Sequence, residues 1–111
     1  LEVDVAAERL LESLPAADEA GLVAMADKFR GAEGVARFSL LMERLAARVH
    51  DAAVALASQG ADPALDAWAS AWRRLQALPR EAEALNLDRA DVFWSALAEL
   101  RVAARARPFR V

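Results

Sequence analysis

The stretch EGVARFSLLMERLAARVHDAAVALASQ, residues 33–59, decides the fold class. Val35, Phe38, Leu41, Met42, Leu45, Val49, Ala52 and Leu56 recur at steps of three and four, the period of one apolar helix face. Gly60 follows in position to close the helix. From Glu33 to Gln59 such a helix is about 40 Å long at ~1.5 Å per residue, enough to cross a small domain. A face of that length must be covered, and the rest of the chain offers only helices to cover it. There is no Ile, Thr or Tyr, and no segment alternates apolar with polar residues, so strands have little to build from.

Upstream, Val3, Ala6, Leu10 and Leu14 keep the helical period, with Asp4 as N-cap and Pro15 as stop. A second helix carries Leu22, Met25, Ala26 and Phe29 on one stripe, starts behind Asp18 and Glu19, and closes at Gly31. Downstream, Asp62 and Pro63 supply an N-cap and a proline at the first helical position, where its missing N–H does no harm. That fourth helix carries Leu65, Trp68, Trp72, Leu75 and Leu78, and its period continues through Ala82 to Leu85. Pro79 falls inside it, where proline costs about 3 kcal/mol, and predicts a kink or short break.

The junction from Leu85 to Val92 turns one helix into the next. Asn86 tolerates the left-handed conformation after a helix end, and Asp88 offers a carboxylate to the next N-terminus. Asp91 places negative charge where the helix dipole favours it, and Leu87 can staple onto Val92. A fifth helix then runs from Arg89 to about Ala106, with Val92, Phe93, Ala96, Leu97 and Leu100 inward and Pro108 marking its end. The reading is an all-α, five-helix chain.

At 111 residues and 12.0 kDa the sequence suits one domain, and its 57% hydrophobic content is too high for a disordered tail. Its start at Leu1, without Met, points to a domain excised from a longer chain. No run of ~18 uncharged apolar residues offers a membrane span, and no signal peptide opens the chain. The absence of Cys removes disulfides and thiol nucleophiles and fits a reducing cytoplasm. The net charge of -3 opposes general nucleic-acid binding. The charge is uneven, with twelve acids and six bases in residues 1–66 against five and eight in residues 67–111.

Chemistry-bearing patterns are few. The lone His50 sits about 100° round from the apolar stripe, which makes it a boundary or surface side chain with no second His or Glu-x-x-His to build a metal site. Asp62 with Asp66 and Glu81 with Glu83 read as solvated carboxylates, and Gly31 and Gly34 lack the Lys-Ser or Lys-Thr of a phosphate loop. No nucleophile and base are arranged for an enzyme, and no cofactor or small-molecule ligand is implied. Trp68, Trp72 and Trp94, with Phe93, form an aromatic group at helical spacing that reads either as core or as a partner surface. Arg73, Arg74, Arg101, Arg105, Arg107 and Arg110 make a mildly basic end, either a solvated face or an approach to phosphate.

Trp68, Trp72 and Leu75, followed by Glu83-Ala84-Leu85-Asn86-Leu87-Asp88-Arg89 and an apolar helix, resemble the C-terminal domain of the bacterial DNA polymerase III delta-prime subunit. The Asn-Leu-Asp-Arg corner is the specific part. The Leu14-Pro15 step, the Leu22 to Gly31 helix and Arg37-Phe38 are similar to the same family, which usually continues with Lys-Gln-Val where this chain has Ala90-Asp91-Val92. The resemblance implies a five-helix orthogonal bundle of the clamp-loader collar type, with Asn86, Leu87, Asp88 and Arg89 as family signature. It also implies a non-catalytic role, oligomerisation with the C-terminal domains of other clamp-loader subunits in DNA replication, with ATP handled by separate N-terminal AAA+ domains. On that view the chain itself binds no nucleic acid and no membrane. The alternative is a helical DNA-binding or regulatory domain that uses the basic C-terminal half.

Overall fold

The apolar stripes are covered by one another. The computed structural model describes residues 2–60 and 62–109; Leu1, Ala61, Arg110 and Val111 lie outside the described residues, and with Arg110 part of the expected basic tail. The described residues contain five helices, α1 (Glu2–Ser13), α2 (Glu19–Asp27), α3 (Gly34–Ser58), α4 (Pro63–Ala84) and α5 (Arg89–Ala106), and no strand. The long α3 packs against α1 and α4, while α4 and α2 both pack against α5. The radius of gyration is 13.6 Å, close to the ~13 Å of a compact chain of this length.

The core follows the stripes closely. Leu10, Leu11, Phe38, Leu41, Leu45, Val49, Trp68, Leu75, Leu78, Phe93, Leu97 and Leu100 are all buried. Phe29 sits where three helices meet, edge-on to Phe38 at 5.5 Å and to Phe93 at 5.1 Å between ring centres. Such edge-to-face pairs add about 0.5–1.5 kcal/mol beyond the area they bury. They fasten the end of α2 to α3 and α5.

Several details depart from the sequence expectations. Asp4 does not cap α1: it lies within the first turn, and its carboxylate faces Arg44 at 3.4 Å and Arg48 at 3.6 Å on α3. Val35 is 49% exposed because the inward position at the start of α3 belongs to Gly34. A Cβ built on Gly34 would lie 2.2 Å from the Phe29 carbonyl oxygen, so only glycine allows this approach. Leu85 is 68% exposed because α4 ends at Ala84 and Leu85 is its C-cap.

Pro79 does not break α4, which is helical from Pro63 to Ala84. Proline has no N–H for the carbonyl four residues back, so the Leu75 carbonyl loses its helical donor. The burial of Leu75, Leu78 and Ala82 on either side of Pro79 offsets that loss.

Candidate functional site

The signature residues Asn86, Leu87, Asp88 and Arg89 that were expected as a signature form the α4–α5 corner. Asn86 has φ 52°, the left-handed conformation expected of it. The Leu87 N–H donates to the Ala82 carbonyl at 2.9 Å and the Asn86 N–H to the Glu83 carbonyl at 3.4 Å, the paired bonds of a Schellman closure. One residue later, Asp88 accepts from the Ala90 N–H at 2.8 Å and starts α5. Leu87 remains 43% exposed while Val92 is buried, so the expected staple does not bury Leu87. Its backbone is committed to the Schellman bond, with the side chain left outside.

Arg89 has a role that local sequence did not reveal. A cation at a helix N-terminus opposes the dipole, so its place at the first residue of α5 needs another reason. That reason is the α2–α3 turn: Arg89 Nε donates to the Phe29 carbonyl and a terminal guanidinium nitrogen to the Gly31 carbonyl, both at 2.7 Å. Arg30 reaches back toward the Asp88 carboxylate at 3.9 Å and also pairs with Asp27. Corner and turn therefore hold each other.

The three tryptophans do not form one cluster. Trp68 is 1% exposed, tilted against Phe109 and donating its indole N–H to the Arg107 carbonyl at 3.1 Å. It belongs to the core and cannot present a face to a partner, which corrects its place in the expected surface. Trp94 is half-buried beside Phe93. Trp72 is half-buried with its ring 5.0 Å from that of His50, across an open groove of about 550 Å³ between α3 and α4.

This groove is one of several open recesses of about 400–550 Å³ on the surface. Met42, Ala46 and Leu75 supply its apolar floor, and Glu43, His50 and Asp51 line it on α3. Nothing in the period of α3 marks His50 as special, yet the packing of α4 against α3 brings Trp72 beside it.

Half of the basic end is tied down, while Arg73 and Arg105 are exposed and outside the ion pairs of the described residues. Arg74 pairs with Glu81 at 3.1 Å, Arg101 with Glu19 at 3.0 Å and Arg107 with Asp62 at 2.8 Å. The Asp62 carboxyl is held below its ordinary value of 3.8, first by the Ala64 N–H it accepts as N-cap and then by Arg107. Arg107 also donates to the Gln59 side chain, so the end of α5 clamps the α3–α4 turn.

Among the described residues no group of three His, Cys, Asp or Glu side chains could hold a metal ion, and no helix is long and apolar enough to cross a membrane. No protein-family model matches the chain, and neither a curated protein nor a solved structure matches it.

Proposed function

We propose that the chain is a non-catalytic, collar-type oligomerisation module of a bacterial DNA polymerase III clamp loader, of the delta-prime kind. It would act by binding the C-terminal domains of sister subunits in the cytoplasm. The observation that carries this reading is the run Glu83 to Arg89 behind Trp68, Trp72 and Leu75; within it Glu83, Asn86, Leu87, Asp88 and Arg89 make the bonds of the α4–α5 corner. Leu85 and Leu87 are exposed there, apolar side chains of the kind that partner surfaces cover. The orthogonal collar arrangement of the five helices is part of the same proposal.

The DNA-binding alternative draws less support. Phosphate contacts need accessible cations, and with Arg74, Arg101 and Arg107 each engaged with a carboxylate, Arg73 and Arg105 are the exposed ones left among the described residues of the basic end. Size-exclusion chromatography with the C-terminal domains of clamp-loader subunits tests the proposal. Co-elution is the expected result; separate elution at tens of micromolar, or salt-dependent binding to duplex DNA by the chain alone, contradicts it.

A further inference from the structure

We infer that the α3–α4 groove is the seat of an arginine-bearing helix from a partner protein. The inference rests on the reading of the chain as a docking module and names the surface and the partner chemistry.

The groove has the size for a helix. Its lining on α3 extends from Ser39 to Asp51, about 18 Å at ~1.5 Å per residue, the length over which a helix places anchors at successive turns. Met42, Ala46 and Leu75 lie sealed beneath the groove, and the apolar surface it offers is that of Trp72, Ala47 and Pro79.

Its chemistry selects the charge of that helix. Thirteen of the fourteen bases in this chain are arginine, yet no arginine or lysine lines the groove. Glu43 and Asp51 do, and among the described residues neither has an arginine or lysine counter-ion; Asp51 faces only the His50 ring, at 3.9 Å. Trp72, half-buried and braced by His50, stands at the Asp51 end of the groove, and Glu43 lies two turns of α3 away. An aromatic face with an unpaired carboxylate at the same end and a second along the groove suits arginine side chains, whose guanidinium is weakly hydrated, stacks on aromatic rings and forks onto carboxylates. Lysine carries the same sign but neither the planar stack nor the fork.

The test uses an alanine-based helical peptide with two arginines and two leucines on one face, and a twin with glutamates in place of the arginines. Two-dimensional NMR of the 111-residue chain should show saturable shifts at the Trp72 indole and along residues 39–51 with the arginine peptide alone. Affinity should fall about tenfold in Trp72→Ala and at least fivefold in Glu43→Gln/Asp51→Asn. The second variant changes only exposed carboxylates and leaves the fold intact. Equal response to both peptides, no saturable shift, shifts elsewhere, or groove shifts that track only the chain's own concentration would overturn the inference. If wild type and Glu43→Gln/Asp51→Asn co-elute equally with sister subunits, the inference falls and the clamp-loader proposal stands. If the groove binds the arginine peptide while no clamp-loader domain co-elutes, the reverse holds.

Discussion

The α4–α5 corner and the α2–α3 turn join helices in opposite ways. At the corner, Ala82 to Ala90 contains every donor and acceptor described for the closure: the Schellman bonds, the left-handed Asn86 and the Asp88 cap. The turn after α2 has local bonds too, among them the Phe29 N–H to the Ala26 carbonyl and the Gly34 N–H to the Gly31 carbonyl, but it does not close on these alone. Its Phe29 and Gly31 carbonyls are bound by Arg89, about sixty residues away, and its closeness to α3 depends on the missing side chain of Gly34. A corner made of near neighbours can be read from a short string of residues. A turn made by a distant side chain is visible only once the chain is folded.

Substitutions can break that contrast, and the largest effect belongs to the turn. Gly34→Ala must move Phe29 out of the three-ring contact, so we expect a loss of about 3 kcal/mol, read by urea denaturation. A wild-type midpoint would show that the close approach is dispensable. Arg89→Met keeps the bulk but removes both bonds to the turn, at a cost of about 2 kcal/mol. Hydrogen exchange sharpens this case: the Gly34 amide should exchange faster while the Ala90 amide, held by Asp88, stays protected.

Asp88→Ala should do the opposite, exposing the Ala90 amide and costing about 1 kcal/mol through loss of the cap. An unchanged melting temperature would mean that another group caps α5.

The α3–α4 turn stands between the two extremes, with a local cap from Asp62 and a remote clamp from Arg107. Because Asp62 titrates below 3.8 in the folded protein, its contribution is present above that value and is lost as pH falls through the folded pKa. Carbon-detected NMR titration should place the carboxyl lower in wild type than in Arg107→Gln. This is the smallest of the expected effects, since the Ala64 N–H remains in the variant; identical titrations would assign the whole shift to the cap.

The same division explains what could be read from the sequence. The five helices were legible because their stripes repeat at 3.6 residues, and Asp62 and Asp88 were legible as caps because each accepts from a backbone N–H two residues on; Asp18, read only as favourable charge, proves to be the cap of α2. Trp68 and Trp72 lie four positions apart on one stripe, so their period cannot tell which is sealed against Phe109 and which borders the groove. That depends on where the end of α5 folds back. Asp4 was misread as a cap for a related reason: its partners, Arg44 and Arg48, are on another helix. The groove was hidden as well, since it forms only where α4 packs against α3.

The self-contained corner also bears on the order in which the molecule assembles. Closing α4 onto α5 bridges only a few residues, so little chain entropy is lost before the buried faces meet. The α2–α3 turn cannot be secured until Arg89 is already in place at the head of α5. The short α3–α4 connection closes as cheaply, so the α3–α4–α5 run is expected to form ahead of the contacts that Arg89 makes with the α2–α3 turn.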